Sequence, residues 1–101
     1  MPDQKQRDEM LGSKASVPEH VVFRTFEAET LLLNLESGQY HGLNATGGRM
    51  LELLKETGGE VTASVARLAE EYEMEADTIA PDMADFCLSL EERGLLEVQR
   101  R

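Results

Sequence analysis

The hydrophobic and polar positions divide the chain into a polar beginning, a strand-like middle and a helical second half. Between Val21 and Leu43, short runs of β-branched, aromatic and aliphatic residues alternate with turn signals such as Ser37-Gly38. Runs of this kind are typical of strands joined by tight turns. The middle segment therefore predicts an antiparallel meander ordered 1-2-3, whose third strand lies at an edge of the sheet and whose strands cover residues 21–25, 30–35 and 39–43.

After the strands, apolar residues recur every three to four positions, which predicts three α-helices. Asn44 is a suitable N-cap for the first helix, and Thr57-Gly58-Gly59 ends it. The third helix ends at Gly94, and its apolar stripe consists of Ile79, Met83, Phe86 or Cys87, and Leu90. Because the strands come first and the helices follow, the predicted fold class is α+β: a three-stranded antiparallel sheet followed by three helices, winged-helix-like in its parts.

The first eighteen residues show scattered charges of both signs and almost no apolar periodicity. A segment of this composition buries too little apolar surface to offset the entropy lost on ordering. Residues 1–18 are therefore predicted to form a disordered N-terminal tail, and residues 19–101 a single folded domain.

The composition narrows the classes of function. The chain has 101 residues and a net charge of −10, with 20 acidic and 10 basic residues. This balance argues against nucleic acids and anionic membranes as partners, because both are bound through Lys and Arg. No apolar run reaches the ~18 residues of a membrane span, and no signal peptide is visible. A single cysteine forms no internal disulfide, so a cytoplasmic protein is expected.

Few residues are candidates for catalysis or for binding a metal or cofactor. His20 and His41 are the only histidines, and neither has a second ligand at metal-binding spacing. Cys87 falls on or near an apolar helical stripe, which favours a small buried hydrophobe over a nucleophile. Gly47-Gly48 matches no phosphate-binding pattern and favours close packing of a helix against the sheet. No catalytic pair can be selected among the carboxylates, so the sequence predicts neither an enzyme nor a metal or cofactor site.

Two surface features suggest binding instead. The segment from Glu70 to Asp85 contains seven acidic residues and no base. It is either a solvated surface or an acidic rim for a cationic partner. The edge strand leaves backbone groups unpaired, which allows a peptide to add as a fourth strand, or a second copy to pair as a homodimer.

The segment Leu31–Leu54 resembles the PqqD-like family, also called the precursor-peptide recognition element. The similar features are an apolar strand, the turn at Gly38, an aromatic strand with Tyr40, and Leu43-Asn44-Ala45-Thr46-Gly47 opening a helix. Residues 61–79 and 82–96 are similar to the later helices of the family. The chain lacks the W-x-L-L-x-P-E strand typical of the quinone-pathway member, which favours a more general leader-binding relative.

The resemblance implies three antiparallel strands on three helices and no catalysis. Family members bind the leader segment of a ribosomally made precursor peptide and present it to a radical S-adenosylmethionine enzyme, a cyclase or a peptidase. The leader would add to the third strand, facing the third helix. This implies a peptide-binding site formed by Tyr40, His41, Gly42, Leu43, Asp82, Met83 and Phe86. The sequence is equally consistent with Asp82 stabilising the start of the helix and with Phe86 lying in the core.

The alternatives are a winged-helix regulator, a structural interaction subunit and a small enzyme. The first would need a basic recognition helix, whereas residues 78–92 contain no Lys or Arg. The third would need a catalytic pair of residues that the sequence does not offer.

Overall fold

The computed structural model describes residues 2–101, which fold into four helices and two antiparallel sheets. The helices are α1 (Gln4–Leu11), α2 (Ala45–Glu56), α3 (Val61–Tyr72) and α4 (Ala76–Glu92). The strands are β1 (Lys14–Ser16), β2 (Val21–Phe26), β3 (Glu29–Asn34), β4 (Tyr40–Leu43) and β5 (Glu97–Gln99). The predicted α+β class and the three-stranded meander, ordered β2-β3-β4, are confirmed.

The N-terminal segment differs from the prediction of a disordered tail. Asp3 and Gln6 form a capping box at the start of α1, and Met10 is completely buried in the core. β1 pairs antiparallel with β5 to form a second, two-stranded sheet. The structure thus has one helix and one small sheet more than the sequence predicts. The segment is ordered because tertiary contacts supply the stabilisation that its own sequence lacks.

The three-stranded sheet packs one face on the helices. β2 and β3 are joined by a two-residue turn in which Glu27 has φ of 48°. Val21, Thr30 and Leu32 point inward and are buried, and β3 contacts α2. Core residues from α2, α3 and α4 complete the apolar interior on this side.

The start of α2 lies directly against the sheet. The Asn44 side chain accepts a hydrogen bond from the Gly47 N–H at 2.8 Å, so the predicted N-cap is confirmed. A Cβ on Gly48 would lie 2.3 Å from Thr30 Oγ1 on β3. The close packing inferred from Gly47-Gly48 is therefore confirmed: the backbone of α2 approaches β3 where no side chain could fit.

Candidate functional site

Within residues 2–101, no strand pairs with the outer edge of β4, so this edge carries free backbone groups. The Asn34 N–H donates to the Gln39 carbonyl at 3.0 Å, which fixes the phase of the ladder between β3 and β4. In an antiparallel ladder, successive residues direct their N–H and C=O alternately toward and away from the partner strand. His41 and Leu43 therefore face β3, whereas Tyr40 and Gly42 each direct one N–H and one C=O away from the sheet. This edge offers two donors and two acceptors to an added strand.

An apolar wall lies beside this edge. The point that a Cβ on Gly47 would occupy is 3.3 Å from Phe86 Cε1 and 3.4 Å from Leu43 Cβ. Phe86 of α4 and Leu43 of β4 are therefore close neighbours across the first turn of α2. Both side chains are partly exposed. A side chain at position 47 would be tightly placed against both, and the Phe86 ring would have to shift by a few tenths of an ångström.

Acidic groups accompany Phe86 on α4. Asp82 is exposed and lies one turn before Phe86 on the same face of the helix. Asp85 is already engaged, because Arg7 of α1 donates to both of its oxygens at 2.8 and 3.0 Å. That pairing raises the pKa of Arg7, chiefly through the hydrogen bond to Asp85. Asp82 forms no ion pair within residues 2–101, although its charge also helps to raise the pKa of Arg7.

Of the seven residues predicted to form the peptide-binding site, one is buried and six reach the surface. Met83 is completely buried in the core, so in the free protein its side chain has no surface to offer a peptide. It points inward because it shares the buried stripe of α4 with Ile79 and Leu90. The remaining six are exposed or partly exposed: Tyr40, His41, Gly42, Leu43, Asp82 and Phe86.

The outer face of the sheet is also apolar, a feature that sequence reasoning missed. The register places Val22, Leu33 and Tyr40 side by side across the three strands. Val22 is 46% exposed, Tyr40 69% and Phe26, further along β2, 54%. These side chains surround a shallow depression of about 170 Å³. The sequence signal was the run Thr30–Leu33, which places leucines on both faces of β3, as expected for a strand covered on both sides.

The single cysteine and the potential metal ligands complete the inventory of chemically reactive side chains. Burial, with a smaller contribution from Glu91, raises the pKa of the Cys87 thiol to about 12. A thiol held protonated in the core is not a nucleophile, so the buried role predicted for Cys87 is confirmed. Within residues 2–101, no three His, Cys, Asp or Glu side chains come together to hold a metal ion. In the same range, no helix is long and apolar enough to cross a membrane.

Comparison with known proteins gives the family. The family model for coenzyme PQQ synthesis protein D (PqqD) matches residues 29–96, which include β3, β4 and the three helices after them. The chain belongs to the PqqD family. The resemblance seen in the sequence is thus confirmed, and the family match contains all seven predicted site residues.

Two solved structures are similar to this PqqD-family chain. One is TbiB1 in complex with the TbiA(beta) leader peptide, with a TM-score of 0.75 and 34% identity over 81% of this chain and 94% of that one. The other is lasso peptide synthetase B1 complexed with its leader peptide, with a TM-score of 0.73 and 25% identity over 83% and 98% of the two chains. No curated protein sequence matches the chain.

Proposed function

We propose that this PqqD-family protein is a non-catalytic adaptor. It captures the leader segment of a ribosomally synthesised precursor peptide by β-strand addition and presents it to a modifying enzyme in the cytoplasm. The observation that carries the proposal is the unpaired β4 edge, with the Phe86 and Leu43 wall beside it. Two structurally similar proteins have been solved with leader peptides, which supports the same class of ligand here.

The β4 edge sets the strength of the main-chain contribution. Tyr40 and Gly42 together offer four hydrogen bonds to an added strand. At a net ~0.5–1.5 kcal/mol each, these supply about 2–6 kcal/mol. A micromolar dissociation constant corresponds to a binding free energy of about 8 kcal/mol, so contacts of the leader side chains must supply the remainder. Backbone pairing therefore gives a sequence-independent part of the affinity, and the side chains choose the leader.

The neighbouring side chains define what those leader residues contact. Inward-facing leader residues meet Leu43 and Phe86, which favours apolar side chains at alternate positions. Asp82, at the exposed end of that wall, favours a basic or hydrogen-bonding group in the leader. Met83 supports the wall from within the core and makes no contact of its own.

The exposed apolar face of the sheet is suited to the enzyme partner. An apolar patch of this kind on a small protein indicates an interaction surface. The row Val22–Leu33–Tyr40 ends at the β4 edge, so an outward-facing leader residue would extend it by one position. The maturation enzyme, whether a radical S-adenosylmethionine enzyme, a cyclase or a peptidase, would then contact adaptor and leader together.

Gly42 provides the sharpest test. Gly42→Pro removes one outward N–H from the edge, whereas Gly42→Ala keeps it. A Cβ at this position meets only Glu29 Oε1 at 3.7 Å and Leu31 Cδ2 at 3.9 Å, which are ordinary contacts. Because the Gly42 N–H takes no part in pairing with β3, the proline variant is expected to fold.

The measurement is calorimetric titration with a synthetic leader encoded by a short precursor gene beside this one. We expect Gly42→Pro to weaken binding roughly tenfold or more, through the lost hydrogen bond and the bulk of the ring. Gly42→Ala should stay within about twofold of the parent protein. Equal affinities for the folded proline variant and the parent would place the leader elsewhere and reject strand addition to β4.

A further inference from the structure

The sheet has a second edge, on β2, with which no strand of residues 2–101 pairs. The Leu35 N–H donates to the His20 carbonyl at 2.7 Å, which fixes the phase of the ladder between β2 and β3. Residues alternate from there, so Val22, Arg24 and Phe26 face β3 with their backbone groups. Phe23 and Thr25 direct their N–H and C=O away from the sheet. This edge offers two donors and two acceptors, the same number as β4.

An apolar cavity of about 310 Å³ opens beside this edge. Its walls come from Val17, the Phe23 ring, Leu54 and the backbone at Gly58-Gly59. The Phe23 ring is only partly buried, and the Lys55 ammonium lies 5.7 Å from its centroid. The cavity thus combines apolar walls with a cation at the rim, a combination suited to an apolar side chain that has an anionic neighbour.

The charge around this edge is opposite to that of the whole protein. The net charge is −10, yet Lys14, Arg24 and Lys55 are exposed and form no ion pair within residues 2–101. Lys55 lies at the cavity and Arg24 on β2 itself. Lys14 Cγ lies 3.0 Å from the point that a Cβ on Gly59 would occupy.

Within residues 2–101, the acids near these bases form no ion pair with them, although Lys14 helps to lower the pKa of Glu60. The Glu60 carboxylate, close to Lys14, is hydrogen-bonded to Arg101. Glu27 lies in the turn beyond β2 and forms no ion pair with Arg24 in the described range. The β2 edge is therefore a basic border on an acidic molecule, whereas the β4 edge has Asp82 on its helix wall and Glu29 beside Gly42.

We propose that the β2 edge is a second strand-addition site, which takes an extended acidic polypeptide segment of a partner protein. Directly opposite residues in a sheet point to the same face. The segment's residue opposite Phe23 therefore enters the cavity and is apolar. The residues on either side of it turn to the outer face, where an acidic one meets Arg24. This site is separate from the β4 edge and stands whether or not the leader binds there.

An unbiased selection tests the proposal. A displayed library of random heptapeptides is selected on the full chain carrying Gly42→Pro, which weakens strand addition at the β4 edge. We expect enrichment of sequences in which an apolar residue is flanked by Asp or Glu. No enrichment, or enrichment of sequences without acidic residues, would overturn the proposal.

Two variants then locate the binding of the enriched peptide. Thr25→Pro removes an outward N–H, and Thr25→Val is its control because it loses the same hydroxyl but keeps that N–H. We expect roughly tenfold weaker binding for the proline variant relative to the valine control. Lys55→Glu, an exposed change that leaves the core intact, should weaken binding about two- to fivefold and make it less sensitive to salt. Binding that resists both Thr25→Pro and Lys55→Glu would overturn the assignment.

A second copy of this chain is the competing occupant. Its acidic β4 edge could pair with a basic β2 edge in a head-to-tail contact. Sedimentation of the parent chain over a range of concentrations distinguishes the two. A monomer is the result expected for a site reserved for a partner, and self-association that Thr25→Pro abolishes would assign the edge to the second copy instead.

Discussion

Replacement of Gly48 by alanine tests the contact that joins α2 to the sheet. The added Cβ would lie 2.3 Å from Thr30 Oγ1 and 3.1 Å from Thr30 Cβ. Thr30 is 1% exposed and its hydroxyl is hydrogen-bonded to that of Thr25 at 3.1 Å. The methyl group therefore meets a side chain that is both buried and hydrogen-bonded, and α2 or β3 must move to admit it.

The size of the effect follows from opposing contributions. Alanine in place of glycine within a helix favours folding by about 1 kcal/mol. Overpacking a well-packed interior costs about 1–3 kcal/mol, and disturbing the hydrogen bond between Thr25 and Thr30 adds about 1 kcal/mol more. We expect Gly48→Ala to lower the free energy of unfolding by roughly 1–3 kcal/mol, a substantial part of the ~5–15 kcal/mol typical of a domain.

Urea unfolding followed by circular dichroism gives the measurement, and Gly47→Ala gives a matched control. At position 47 the nearest atoms lie at 3.3–3.4 Å and include the end of the Phe86 ring, which can shift. Its loss of stability should be less than half that of Gly48→Ala. Adding Thr30→Ala to Gly48→Ala removes the clashing hydroxyl. The double variant should therefore lose less stability than the sum of the losses in the two single variants. A Gly48→Ala protein as stable as the parent, with additive behaviour in the double variant, would refute the close approach.

Three further predictions concern single groups. Cys87 should react with a thiol reagent at neutral pH only as fast as the protein unfolds, measured by labelling at increasing urea, because burial raises its pKa to about 12. The hydrogen bond from Arg49 lowers the pKa of Glu71 from 4.5, so this pair stabilises the fold above that pH and the contribution is lost as the pH falls through the lowered value. Glu71→Gln should therefore flatten the acid side of a stability profile, and an unchanged slope would contradict the pairing. Arg7→Gln should lower the urea midpoint slightly, with partial recovery in Arg7→Lys, because a lysine keeps the charge but not the two-pronged contact with Asp85.

The meander and the three later helices could be predicted because their signals are local. Alternation and turn residues mark β2, β3 and β4, and Asn44 marks the start of α2. The β4 edge followed from strand order alone. The burial of Met83 could not be predicted in the same way. α4 packs against both α1 and α3, and periodicity does not say which neighbour a position faces.

The N-terminal helix was missed for a different reason. Only Met10 of α1 is buried, so the helix shows no apolar periodicity. Its stability depends on contacts with α4 that are distant in sequence, such as Arg7 with Asp85. A local signal was present: Asp3 followed three residues later by Gln6 is the spacing of a capping box. Capping residues therefore deserve as much weight as periodicity in polar segments.

The pairing of β1 with β5 has a consequence for the order of folding during synthesis. Ala15 pairs with Val98, so residues near the two ends of the chain form one sheet. β5 follows β1 and all the elements between them in the chain, so β1 has no partner strand until β5 has been synthesised. The three-stranded meander contains only short-range pairings and can form early. The β1 segment is thus made before the meander but paired after it, and a nascent chain can form the β4 edge before β1 and β5 meet.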